Sequence, residues 1–444
     1  MNDLTIGDEA KLIFKFAFPM LIGNIFQQLY STVDSIIVGR ALGKDALAAV
    51  GASFPIIMLV VSLTLGVTLG STIVVSQYYG SKDMERVKRA IDTTYIFLFF
   101  ASIIMTIVGL MISGPLLKML KVPEELLVDA KKYLDITFIG LVGMFGYNSV
   151  SAILRGIGDS VTSLYFLIIA TVINIGLDLL FIITFGWGVA GAAWATIIAQ
   201  GFSFVFSILY LNYKNDIFKL KIRNIKFDSQ IFKLILQVGL PAGIQQVFLS
   251  SGVMALQGIV NGFGSNVIAA FTAAVKLDSF ATMPVSNFGN ALSSFVGQNI
   301  GAGKMDRVKK GYRVTLAMSI GFSLLITVVM FFFGEPLLTI FTDDPNVIEE
   351  GVKYLQIVSA GYALLSIMFV TGGLIRGTGN SVFPMVMTIS SLWVVRVPAA
   401  ALLSKKFGST GLWWGIPIGW LLGAVVGIVY YRSGRWEKKV TVRN

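Results

Sequence analysis

Apolar runs of roughly 20 residues, nearly free of charge, recur from one end of this chain to the other. That length carries a helix across the hydrocarbon of a bilayer. Only 13% of the 444 residues are charged and 55% are hydrophobic, where an ordinary soluble domain has about 25% charged. Inside lipid every backbone group needs an internal partner, so spans are helices or closed barrels. Continuous runs of this length belong to helices, and the expected fold is an all-α polytopic membrane protein. Asp3, Asp8 and Glu9 precede the first run and no small-residue cleavage site follows it. That run is therefore expected to be a retained span and not a signal peptide.

Missing residue types narrow the chemistry. The chain has no Cys and no His, which excludes disulfides, thiolate nucleophiles, Cys/His zinc sites and imidazole proton relays. No P-loop pattern occurs, so ATP hydrolysis by that route is excluded. No resident cofactor is expected, and proton or ion chemistry must use carboxylates, amides, hydroxyls or carbonyls. The net charge of +11 belongs to cytoplasmic loops of a membrane protein and not to nucleic-acid binding. No nucleophile–base–orienter constellation is present, so an enzyme is not expected.

Twelve transmembrane helices are expected, near 12–38, 46–79, 90–112, 133–154, 162–184, 189–211, 232–260, 267–299, 313–333, 352–375, 383–403 and 411–431. The second and eighth are too long for a straight crossing and should tilt or bend. Lys and Arg crowd the segments that would share a side with the N-terminus, around 82–89, 214–233, 304–313 and 432–443. The opposite loops carry far fewer. By the positive-inside rule both termini are expected in the cytoplasm.

The chain repeats itself at an offset near 221 residues. Lys11-Leu-Ile-Phe-Lys-Phe-Ala-Phe-Pro19 answers Lys233-Leu-Ile-Leu-Gln-Val-Gly-Leu-Pro241. Gln77-x-x-Gly80 with Met84-Glu85-Arg86-Val87-Lys88 answers Gln298-x-x-Gly301 with Met305-Asp306-Arg307-Val308-Lys309. Arg155-Gly156-x-Gly158-Asp159-Ser160 answers Arg376-Gly377-x-Gly379-Asn380-Ser381. The expected organisation is an N-lobe at 1–211, a basic cytoplasmic linker at 212–231, a C-lobe at 232–431 and a basic tail at 432–444. Six spans per repeat place both lobes the same way up, an arrangement suited to two lobes rocking about a central site. The Arg-Gly-x-Gly turns are expected to stabilise short loops.

Rare charges inside spans carry the functional signal, because an unpaired charge in hydrocarbon costs at least about 2.5 kcal/mol. The acids well inside spans are Asp34, Asp178 and Asp278; Asp92 and Asp135 sit near span ends and should snorkel or cap. Asp34 lies about 30 Å along span one and Asp178 about 22 Å along span five, both counted from the cytoplasmic start. Asn174 shares a helical face with Asp178, and Thr196 reaches similar depth from the outer start of span six. Four oxygen-bearing side chains of one lobe can thus converge, where two carboxylates bind a cation or share a proton. At the repeat offset the C-lobe offers Ala255 or Leu256 and Ala399 or Ala400 instead of the acids, so the site is not duplicated.

The six-plus-six pattern, Val33-Asp34-Ser35-x-x-Val38-Gly39 in span one, Gln77-x-x-Gly80 and the paired Arg-Gly-x-Gly-[Asp/Asn]-Ser turns resemble the MATE (multidrug and toxic compound extrusion) family of antiporters, of MOP type. The acid in span one is closer to the DinF-like branch than to the branch named for NorM. Ala274-Val-Lys276-Leu-Asp278-Ser-Phe280 is similar to a pattern of bacterial drug-efflux members. The resemblance implies that Asp34, Asn174, Asp178 and Thr196 are the coupling positions for H+, or the metal ligands if Na+ is the ion.

The expected activity is secondary-active export of amphipathic, chiefly cationic organic compounds in exchange for H+ or Na+ by alternating access. Candidate cargo contacts are the polar stripe Asn24, Gln27 and Ser31 on span one, Gln246, Met254 and Gln257 on its counterpart, and Lys276, Asp278 and Arg396. Asp278 and Arg396 are expected to form an ion pair. The setting is a bacterial cytoplasmic membrane, with the lipid bilayer and small molecules as partners and the chain acting as a monomer. A lipid-linked precursor flippase of the same superfamily is the alternative.

Overall fold

The computed structural model describes residues 3–214, 219 and 225–438. Most of the expected linker, and the end of the basic tail with Lys439 and Arg443, lie outside the described residues.

The chain forms α1 (Glu9–Leu42), α2 (Lys44–Gly80), α3 (Met84–Met119), α4 (Glu124–Ile139), α5 (Leu141–Gly156), α6 (Ser160–Asp178), α7 (Val189–Lys214), α8 (Ser229–Val260), α9 (Ser265–Gly301), α10 (Met305–Leu338), α11 (Pro345–Ser359), α12 (Tyr362–Gly377), α13 (Val382–Ile389) and α14 (Val397–Arg432). Several starts are set by capping carboxylates that accept first-turn N–H groups. Asp83 takes Arg86 N–H, Asp159 takes Thr162 N–H, and Asp8 and Asp228 do the same for α1 and α8. Asp92 pairs with Lys88, and Asp135 accepts from Ser113 and Lys131, so both have local partners as expected for span ends.

Among the described residues nine helices are long and apolar enough to cross a membrane, and two bent pairs, α4 with α5 and α11 with α12, supply one span each. The run Val382–Arg432 counts as one helix but folds into two antiparallel spans. Gly408, at φ 62° and ψ −147°, reverses the chain, a backbone state that suits glycine. Beyond it Gly411, Gly415 and Gly419 lie so close to Leu403, Ala400 and Arg396 that a Cβ would meet their atoms at 2.2, 2.7 and 2.7 Å. Among the described residues the runs either side of Gly408 bring the candidate spans to twelve when each bent pair is counted as one.

The long spans and the bent ones differ in helix continuity. The long second and eighth spans run unbroken as α2 and α9. The breaks fall in spans four and ten, by 50° between α4 and α5 and by 48° between α11 and α12. Each break leaves a carbonyl short of its helical partner, and a threonine from the neighbouring span replaces it. Thr106 Oγ1 donates to the Phe138 carbonyl and Thr327 Oγ1 to the Ser359 carbonyl, both at 2.6 Å. Donors and acceptors are each separated by the repeat offset, so the bend and its cap were duplicated together.

The chain divides into two compact units, one of Ile22–Gly239 and one of Asp3–Leu21 with Leu240–Asn444. The boundaries differ from the expected lobes at both ends. Leu4, Ile13 and Phe16 are buried in the second unit against Phe288, Leu292 and Phe295 of α9. Glu9 there pairs with Arg307 at 2.9 Å and Lys310 at 2.8 Å. In the first unit, Asp228 N–H donates to Thr93 Oγ1, and Gly239 packs on the Gly66 carbonyl. The changeovers fall beside Pro19 and Pro241, which answer each other in the repeat.

In the first unit Val38, Ala46, Tyr133 and Ala192 lie in one core cluster. In the second, Phe271 stacks on Trp413 with centroids 5.6 Å apart, and Tyr354 meets the same indole edge-on. Hydroxyls tie spans together where lipid gives no hydrophobic drive for association. Ser71 bonds Thr94 in the first unit, and Ser366 bonds Ser319 and Ser323 in the second.

Candidate functional site

Asp34 stands on α1 and is half-buried, whereas Asp178 closes α6 and is completely buried. The helix continues from Asp178 as a π-helical turn, Leu179–Thr184. Turns of this kind interrupt helical phase and gather at functional sites. The two carboxyl groups lie within hydrogen-bonding reach of one another. Each keeps one oxygen, Asp34 Oδ1 and Asp178 Oδ1, enclosed and without any partner among the described residues. Two enclosed carboxylates cannot both stay charged and unmet, so the pair requires a shared proton or a cation.

Asn174, one turn before Asp178 and 1% exposed, completes the wall with Thr196 of α7. Turned so that its nitrogen faces the acid, the Asn174 amide donates to Asp178 Oδ2 at 2.9 Å and accepts from Thr196 N–H at 3.2 Å. The opposite orientation would set its oxygen against the carboxylate and leave one long bond, 3.4 Å, to Thr196 Oγ1. The first orientation satisfies both ends of the amide. Tyr30, one turn before Asp34 on the same face of α1, donates its hydroxyl to Thr196 Oγ1 at 3.1 Å. Asp34, Asn174, Asp178 and Thr196 thus share one site, and Tyr30 joins them. Sequence reasoning passed over Tyr30 because an aromatic in a span reads as core; its spacing of four from Asp34 was the available signal.

At the offset positions of the second unit, Leu256 and Ala400 are buried among apolar side chains. That unit holds a different polar cluster. Tyr362 Oη donates to Asp278 Oδ1 at 2.7 Å, and the Arg396 guanidinium lies 5.8 Å over the Trp420 ring. The expected Asp278–Arg396 ion pair does not form among the described residues. The tyrosine holds the carboxylate, and the arginine is turned onto the indole. Lys276 is also apart: it is exposed, with its ammonium 5.8 Å over the Phe341 ring. Two residues along a helix face different directions, which separates it from Asp278.

Of the other candidate cargo contacts, Asn24, Gln27 and Ser31 are exposed on α1, and Ser31 Oγ bonds back to the Gln27 carbonyl. Gln246 and Met254 are exposed on α8, while Gln257 is half-buried and donates to Asn261. Among the described residues no group of three or more acidic, His or Cys side chains gathers for a metal ion. The remaining oxygen set suits only a proton or a weakly demanding hard cation.

The MatE family pattern matches residues 19–180 and again 241–402, once in each repeat. The chain is 35% identical over 436 residues to a Bacillus subtilis protein named "Probable multidrug resistance protein YpnP", covering 98% of this chain and 97% of that one. It is 29% identical over 446 residues to "Probable multidrug resistance protein NorM" of Thermotoga maritima, covering 98% and 95%. Among solved structures it is similar to one described as the outward-facing conformation of a multidrug resistance MATE family transporter of the MOP superfamily. That match has a TM-score of 0.92, 26% identity and 98% coverage of both chains.

Proposed function

Since this chain belongs to the MATE family, a multi-pass membrane transporter of the multidrug-efflux type and not an enzyme, we propose that it exports amphipathic organic compounds by alternating access in exchange for protons carried at Asp34 and Asp178. The observation that carries this reading is the facing acid pair of the first unit, each acid with an enclosed and unmet oxygen, with no acidic counterpart in the second unit. One site per chain fits coupling to one ion per cycle. A proton arriving there bridges the two carboxyls and removes the unmet charge, stabilising the loaded form; cargo binding then competes with that form.

A proton is favoured because the two facing carboxyl groups can share it directly. Asn24, Gln27, Ser31, Gln246, Met254 and Gln257, with Asp278 and Arg396, are proposed to meet the cargo; Lys276 is left out on its position beside Phe341. Relatives named for multidrug resistance support efflux over the lipid-precursor flippase. The charge bias of the loops supports a bacterial cytoplasmic membrane with both termini inside, and the presence of both repeats in one chain supports action as a monomer.

Reconstituted proteoliposomes loaded with a fluorescent organic cation test this under a pH gradient alone and a sodium gradient alone. Accumulation driven by the pH gradient and abolished by a protonophore is expected. Accumulation that follows sodium and ignores pH would reassign the pair to Na+, and none under either gradient would refute the antiport reading.

A further inference from the structure

The second unit contains an arginine whose hydrogen-bonding capacity is unused. Arg396 is half-buried, and its Nε is enclosed without a partner. Among the described residues its guanidinium makes no hydrogen bond and no ion pair. Five N–H donors in a fixed fork are on offer, and leaving enclosed donors unmet is costly enough that native proteins almost always supply a partner.

The neighbours explain why the chain itself does not supply one. Asp278 is the acid that bears on Arg396, yet Tyr362 holds its Oδ1 at 2.7 Å and the two charges do not close into a pair. Trp420 supports the guanidinium from one side at 5.8 Å, which orients the fork. The backbone is pinned as well: Gly419 packs so tightly that a Cβ would lie 2.7 Å from Arg396 Cβ. Ser391 Oγ donates to the Gly419 carbonyl at 2.5 Å. Arg396 ends a π-helical turn, Ser390–Arg396. In the first unit the corresponding span carries its π-helical turn immediately after Asp178. The same irregularity thus flanks an acid pair in one repeat and an arginine in the other.

We propose that Arg396 receives an acidic group of the transported compound, a carboxylate or phosphate ester, so that aromatic organic acids and zwitterions are favoured cargo over simple cations. The planar fork matches such groups with two parallel hydrogen bonds. The Asp278 oxygen not held by Tyr362 accepts from an amine of a zwitterion. The assignment rests on the transport reading above but concerns recognition, which is measured without a gradient.

The test is equilibrium binding to the full-length protein in a neutral detergent, using a rhodamine with a free benzoate and its methyl ester. The two dyes share the cationic ring system and differ only in the acid. The wild type is expected to bind the free acid about tenfold tighter or more, the ratio set by one charge-assisted interaction. Arg396→Gln should erase that preference, bringing the acid and its ester to equal affinity. Arg396→Lys, which keeps the charge but loses the fork, should retain a part of it and guards against a folding failure of the first variant. Equal binding of acid and ester by the wild type, or a preference that survives Arg396→Gln, overturns the proposal. Loss of the acid preference when phosphatidylglycerol or inorganic phosphate is added would assign Arg396 to a headgroup or free anion instead, and also overturns it. Asp34→Asn should leave the preference intact, and a protein that shows the preference yet never transports overturns only the antiport reading.

Discussion

Replacing Asp34 by asparagine tests the acid pair directly. The change keeps shape and volume and gives the site one N–H donor that it now lacks. Asp34 and Asp178 lie within hydrogen-bonding reach, and Asp178 Oδ1 is enclosed and unmet. The new amide can donate to it, reproducing permanently the bond that a proton would form. A hydrogen bond to a charged group contributes about 1.5–3 kcal/mol, so the loaded state gains a factor of about 10 to 150 over the unloaded one. The variant should fold at least as well as the wild type, because a like-charge contact has been removed. Its cycle, however, no longer takes up or releases a proton. For exchange of one proton against one monovalent cation, each pH unit sustains about a tenfold cargo gradient. A two-unit gradient across proteoliposomes should therefore drive up to about 100-fold accumulation by the wild type. Asp34→Asn should show none under the same gradient, while still equilibrating cargo downhill. Gradient-driven accumulation by a correctly inserted Asp34→Asn protein would refute proton coupling at this pair.

Further outcomes follow from the packing. Thr327→Val leaves the Ser359 carbonyl at the bend of span ten without its donor and should cost about 1–2 kcal/mol, read as a lower melting temperature in detergent. Thr327→Ser should be nearly neutral, and equal stability of all three would dismiss the capping role. Thr106→Val should behave in the same way in the first repeat. Gly415→Val forces side-chain atoms into a gap where even a Cβ would meet Ala400 at 2.7 Å; about 1–3 kcal/mol of destabilisation is expected. An unchanged melting temperature would show that the two spans after α12 do not pack through that face.

The span pattern, the duplication and the acid pair were legible in the chain because each rests on a local property. Spans follow from apolar runs, the repeat from matched blocks such as Arg155-Gly156 and Arg376-Gly377, and the acids from the cost of charge in lipid. Depth along straight helices was enough to bring Asp34, Asn174, Asp178 and Thr196 to one level, because the helical rise is fixed. Rotation about the helix axis is less well fixed, and the expected Asp278–Arg396 ion pair, which depended on it, does not form. Asp278 found Tyr362 and not Arg396.

What sequence alone determined is thus the all-helical membrane class, the twofold repeat and which ionisable groups are out of place in lipid. Tertiary structure decided the bends at Gly140 and beside Gly361, the reversal at Gly408 and the exchange of the first turns of α1 and α8 between units. It also decided which partner each buried polar group meets. Periodicity specifies one face of one helix; a contact also needs the phase of its neighbour. Glycine breaks and π-helical turns reset that phase through packing between residues distant in the chain.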